Sequence, residues 1–190
     1  MSNSLQELGF DVVNLIISFL ILVFILRLLL AMFSANGNNP ITQSIIKISR
    51  PIRSIFIFLP NIGRFELSSF IIIFLCHLAN IYMQTSIMGS DILLEKLVIF
   101  SFKSSIFSIL DALVIIFIIL AISSWFTQSF NHNRNPALDI VYEISNPILY
   151  SIKRVIPTSV GVIDFSVIIA LVLIHFIKNF IDIIFINIIL

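Results

Sequence analysis

Four apolar runs dictate what this chain can fold into: Phe10–Phe33, Leu67–Met88, roughly Ser105–Phe126 and Phe165–Ile188. Each is long enough to cross about 30 Å of hydrocarbon at about 1.5 Å per residue. Composition points the same way. Of 190 residues, 59% are hydrophobic and 11% charged, where a soluble domain carries roughly a quarter charged. The fold expected is an all-α membrane protein with four transmembrane helices. The first run is expected to stay in place. Glu7 and Asp11 stand where a cleaved signal peptide has a basic region, and the run exceeds such a peptide's apolar stretch.

A second feature divides these runs into pairs. Asn39-Pro40, Ser49-Arg50-Pro51, Pro60 and Glu66-Leu67-Ser68 are matched by Asn135-Pro136, Ser145-Asn146-Pro147, Pro157 and Asp164-Phe165-Ser166. The offset is 96 residues at the first two prolines, 97 at the third and 98 at the acid-x-Ser. This predicts two parallel two-helix repeats, residues 1–90 and 91–190, each with an amphipathic interfacial elbow at 40–60 or 136–157.

Basic residues sort by side. Lys47, Arg50, Arg53 and Arg64 lie in the first paired connection, and Arg134, Lys153 and Arg154 in the second. Lys96 and Lys103 are assigned to a solvated connection on the other side. The positive-inside rule then places both elbows in the cytoplasm and both termini outside. The net charge of +1 carries no footprint for nucleic acid. The single Cys76 excludes an intramolecular disulfide and a cysteine-built metal site.

Within the elbows, Ile41, Ile45, Ile48, Ile52, Ile55 and Leu59 recur at helical steps, as do Leu138, Val141, Ile144, Ile148, Ile152 and Val155. These segments are too polar to span, so they are expected to lie in the headgroup plane with Lys and Arg reaching anionic lipid. Pro51 and Pro147 are expected to start a second short helix capped by Ser49 or Ser145, which Pro60 and Pro157 end. Asn39-Pro40 and Asn135-Pro136 read as turn and helix start. Every residue type here has a turn or capping role, so the motif sets an elbow angle as readily as it contacts a ligand.

Chemistry-bearing residues within the runs are few. His77 and His175 are 98 apart, at matching depths about 13–14 Å past the start of their spans. Two imidazoles facing each other would ligate haem iron or a metal; the plainer reading is hydrogen bonding within the bundle. Lys178 and Asp182 are one turn apart and can pair, and Asp111, entering from the same side, can share Lys178. Such a cluster serves a transport pathway or simply neutralises a buried lysine. Arg27 can snorkel to headgroups, and a structural anchor is its expected role. There is no P-loop, dinucleotide loop, H-E-x-x-H or G-x-S-x-G, and the chain calls for no cofactor.

Taken in order, Arg27-Leu-Leu-Leu-Ala-Met-Phe, Asn39-Pro40, Ser49-Arg-Pro51-Ile-Arg53 and Pro60 form one copy of a motif set. Ser123-Ser-Trp125-Phe126, Asn135-Pro136, Ser145-Asn-Pro147, Lys153-Arg154-Val-Ile-Pro157 and Gly161-Val-Ile-Asp164-Phe-Ser166 form the other. Together these resemble the YggT/YlmG family of small integral membrane proteins, over nearly the full chain. Met32 stands where the second copy has Trp125, and Leu120 lies near the position matching Arg27. The resemblance implies a bacterial inner-membrane protein with relatives in plastids. It also implies associations with osmotic-stress tolerance, cell division or nucleoid distribution, and cytochrome b assembly. The function expected is non-enzymatic: elbows that hold membrane lipid or other membrane proteins, with self-association plausible. The rivals are an ion or solute pathway between the halves and a haem- or metal-handling factor.

Overall fold

The structure is a computed structural model that describes residues 2–89, 92–126, 135–156, 158–160 and 163–189. Six helices account for almost all of it: α1 (Ser2–Met32), α2 (Pro40–Ile55), α3 (Leu67–Ile87), α4 (Leu94–Phe126), α5 (Pro136–Val155) and α6 (Ser166–Ile189). Between α5 and α6, β1 (Ser159–Val160) pairs antiparallel with β2 (Ile163–Asp164). An antiparallel bridge, Ile62 with Phe65, occupies the same place between α2 and α3. There Gly63 takes φ +61°, which a side chain would make costly.

Four of the helices are long and apolar enough to cross a membrane: Leu8–Met32, Leu67–Ile87, Leu94–Ser124 and Ser166–Ile188. The protein is therefore a multi-pass membrane protein with an all-helical fold. The spans pack in the order α1, α3, α4, α6, while α2 lies on α1 and α3 and α5 lies on α4 and α6. The core gathers at the elbow end of this bundle. Phe24, Leu28 and Leu29 of α1, Ile73 of α3, Phe117 of α4 and Ile144 of α5 are fully buried there. The opposite half of α1 instead presents Val12, Leu15 and Phe19 outward, as a helix solvated by lipid does. On α4, Ser101 and Ser105 are completely buried and return their hydroxyls to Leu97 O (2.6 Å) and Ser101 O (2.7 Å). Small side chains of this kind let helices approach closely.

Three expectations are corrected. Each elbow is one helix, not two, because α2 runs through Pro51 and α5 through Pro147. Both prolines lie on the exposed face, so the carbonyl that loses its hydrogen bond is directed outward rather than stranded in the core. A break would also split a continuous inner face: Ile140, Val141, Ile144, Ser145, Leu149 and Ile152 are all buried on α5, on both sides of Pro147. Pro60 lies beyond the end of α2, and Pro157 lies outside the described residues. The second correction concerns α4, which begins at Leu94 rather than near Ser105 and carries Lys96 and Lys103 on the helix itself. Phe102 anchors that added turn, packing edge-on against Phe70 at 5.8 Å between ring centroids. The third concerns the isoleucine stripe of α2. Thr42, Ile45 and Ser49 face inward, and Ile41, Ile48 and Ile55 are exposed. A polar inner face is chosen over an apolar one because of what α1 places opposite it.

Candidate functional site

Opposite that face stands Arg27, a cation near the elbow end of a membrane span. Its Nε donates to Glu66 Oε2 at 2.7 Å and its Nη2 to Glu66 Oε1 at 3.0 Å, a bidentate pair. Its Nη1 donates to Ser49 Oγ at 2.7 Å. Arg53 Nε adds a bond to Glu66 Oε1 at 2.6 Å, and Ser69 Oγ donates to Glu66 Oε2 at 2.5 Å. Glu66 is 6% exposed and both its oxygens are fully engaged. Burial alone would raise its pKa. The hydrogen bonds from Arg27 and Ser69, the Arg27 charge and the Arg53 contact outweigh burial and hold the carboxyl below its ordinary range. Two cations surround one anion, so the cluster keeps a net positive charge.

This arrangement bears on three readings. Arg27 serves as an anchor by locking α1 to α2 and α3 rather than by snorkelling. Ser49 does not cap a helix; it donates to Ile45 O at 2.6 Å while accepting from Arg27. Ser145 makes the matching bond to Val141 O on α5. Glu66, the N-cap residue of α3, makes no capping bond with its side chain. Its role as counter-ion, and the hydrogen bond that Ser69 donates to it, escaped the sequence reading. The available signal was that a lone cation inside an apolar run requires an acid, and Glu66 opens the next span.

The Asn-Pro motifs behave as expected. Asn39 Oδ1 accepts from Ile41 N at 2.9 Å and Asn135 Oδ1 from Ala137 N at 3.0 Å, with Pro40 and Pro136 at the first helical positions. Beyond capping, they bring the elbows together. Asn39 Nδ2 donates to Pro136 O at 2.8 Å, and Asn36 N donates to Glu143 Oε2 at 2.9 Å. Arg53 in the last turn of α2, and Lys153 and Arg154 in the last turn of α5, complement the negative helix ends. Lys47, Arg50, Lys153 and Arg154 are exposed.

Of the two partners open to Lys178 within the membrane, the structure has Asp111. Lys178 Nζ reaches Asp111 Oδ1 on α4 at 2.5 Å rather than Asp182 on its own helix. Asp182 pairs instead with Lys103. Both ammonium groups sit over the Phe107 ring, 5.4 Å from its centroid for Lys103 and 5.1 Å for Lys178. The four charges thus form two crossed pairs about one aromatic ring, stitching α4 to α6. His77 Nε2 lies 3.1 Å from Ser108 Oγ on α4, while His175 is exposed on α6. Among the described residues, no three His, Cys, Asp or Glu side chains gather where they would hold a metal. Between the halves lies an apolar cleft lined by residues such as Leu26, Ile45, Ile116 and Ile140.

The CCB3/YggT family model matches residues 7–87 and 99–185. A Haemophilus influenzae protein bearing the name "Uncharacterized protein" is 28% identical over 163 residues, covering 84% of this chain and 83% of that one. No solved structure matches. With the match extending over both halves of the four-span bundle, the chain belongs to the CCB3/YggT family.

Proposed function

We propose that this protein is a non-enzymatic organiser of the bacterial inner membrane. Its two elbows lie on the cytoplasmic face, with the termini outside, and hold anionic lipid and partner membrane proteins. The reading that follows for the cell is support of envelope-complex assembly or of tolerance to osmotic stress. The single observation that carries it is the construction of the elbows. The first is fastened to the spans by the Arg27–Glu66–Ser49 cluster, the second by its buried apolar face, and the two are joined through Asn39 and Pro136. Yet they turn outward both basic residues (Lys47, Arg50, Lys153, Arg154) and apolar ones (Ile48, Ile55, Tyr150, Val155). A rigid helix carrying both kinds of side chain on its open surface suits the boundary between headgroup and acyl chain.

The experiment is crosslinked recovery of partners from native membranes. The reversal variant Lys47→Glu/Arg50→Glu/Lys153→Glu/Arg154→Glu is expected to abolish partner recovery while the protein remains in the membrane. Robust solute flux through reconstituted protein, together with unchanged recovery by that variant, would overturn the proposal. The rival pathway between the halves finds little support in the apolar cleft at that place. The charges it would have used are drawn into pairs at the α4–α6 seam.

A further inference from the structure

A cavity of about 230 Å³ opens beside the Arg27 cluster. Arg27, Glu66, Thr42, Ser34 and Gly37 line it together with the small side chains of Ala31 and Ala35. It holds several times the roughly 30 Å³ share of one water, but falls below the roughly 300–1,000 Å³ of a drug-sized site. Space of this size suits a headgroup or a small ion.

Three features give the space a sign. Glu66 already receives four hydrogen bonds, so its carboxylate is spent, and the Arg27–Arg53–Glu66 cluster retains one positive charge. Arg27 makes three bonds in the cluster, and a guanidinium carries five N–H donors. Thr42 is 3% exposed, and its Oγ1 is fully buried without a hydrogen-bond partner. Buried hydroxyls in native folds find a partner, so an orphan on a cavity wall signals an occupant. Thr42 also lies at the third position of α2, where the backbone amide has no acceptor within the helix and the helix dipole favours an anion. Net charge disfavours a cation there, and the polar groups form part of the cavity's lining, with Leu30, Ile46 and the two alanines completing it.

We propose that this cavity binds a phosphate group, held by the free face of Arg27 and by the hydroxyl of Thr42 at the start of α2. The assignment deepens the elbow reading above and rests on it only for placing the cavity at headgroup level. The phosphate comes from a phospholipid headgroup or from solution, and these sources are separable.

The test uses the full chain. In lipid-free detergent, inorganic phosphate is titrated against chloride at matched ionic strength while thermal stability is followed. In parallel, protein released from vesicles of phosphatidylethanolamine and phosphatidylglycerol is weighed by native mass spectrometry for retained lipid. Saturable stabilisation by phosphate supports a soluble ligand. Retained lipid without a phosphate response supports a headgroup. In either arm Thr42→Val should weaken binding by ~10-fold, the scale of one lost hydrogen bond, and Thr42→Ser should restore it. Neither phosphate response nor retained lipid in the wild type would overturn the proposal, as would undiminished binding by a folded Thr42→Val. The elbow reading fails separately: robust solute flux with partner recovery unchanged in the four-residue reversal variant would remove it while leaving the phosphate site standing.

Discussion

The two elbows share a shape and differ in what fastens them. Both begin with an Asn cap and a Pro, both run through an outward proline, and both return a serine hydroxyl to the carbonyl four residues back. The inner face of α5 is nearly all apolar, with Ile140, Val141, Ile144, Leu149 and Ile152 buried around a single serine. The inner face of α2 buries Thr42 and Ser49 beside Ile45, because Arg27 of α1 projects toward it. In the second half Leu120, buried in the core, stands near the place of Arg27. The shared punctuation therefore specifies geometry, and the departure from it specifies chemistry. One elbow is anchored by dispersion and burial, the other by an ion cluster that leaves a polar cavity beside it.

Breaking the ion cluster should show the largest effect. Glu66→Ala leaves Arg27 buried without its counter-ion, and loss of about 3–5 kcal/mol is expected in reversible unfolding from mixed micelles. The double variant Arg27→Leu/Glu66→Leu, which removes the cation and its counter-ion together, should lose far less than either single change. If the double loses as much as the sum of the singles, the two halves do not differ as described.

Next comes the α4–α6 seam. Lys178→Ala strands Asp111 and should cost about 1–3 kcal/mol, with a good part recovered in Lys178→Ala/Asp111→Ala. Full additivity in the double-mutant cycle would rule out the pairing.

Caps give smaller changes and sharpen the comparison between elbows. Asn135→Ala should cost about 1 kcal/mol as a lost N-cap. Asn39→Ala should cost more, about 1–2 kcal/mol, because its Nδ2 also holds Pro136 O. Equal losses measured by thermal unfolding would dismiss the link between the elbows.

The smallest effect in the ordinary pH range is acid sensitivity. Glu66 titrates below its unfolded value, so its contribution is present above that value and is lost as pH falls through the lowered folded one. Stability should therefore drop below about pH 4, and Glu66→Gln should remove much of that dependence. Reversing Lys153 and Arg154 on the second elbow should leave it intact.

Much of this architecture was legible in the residues. Apolar length gave the four spans, and Asn39-Pro40 and Asn135-Pro136 gave the elbow starts, because capping and fixed φ are local properties. The continuity of α2 and α5 was not legible, since proline's local bias opposes it and only burial on both sides of Pro51 and Pro147 overrides that bias. The inner face of α2 was not legible because the isoleucine stripe divides: Ile45 is buried and Ile52 half-buried, while Ile41, Ile48 and Ile55 are exposed. Only Arg27, far away in sequence, determines which face turns in. Pairing followed the same rule. Asp111 was one of the partners the sequence offered Lys178, but the pairing of Asp182 with Lys103 on α4 depends on side-chain direction that spacing does not encode.

The central claim, that both elbows lie at headgroup level on the cytoplasmic face, is tested most directly by depth measurement. Spin labels placed at Arg50→Cys and Arg154→Cys in a Cys76→Ala background would be read in oriented proteoliposomes with lipid-soluble and water-soluble relaxation agents. The account predicts both labels at the phosphate level and reachable only from the cytoplasmic side. A label deep in the hydrocarbon, or one reached from the opposite side, would contradict it.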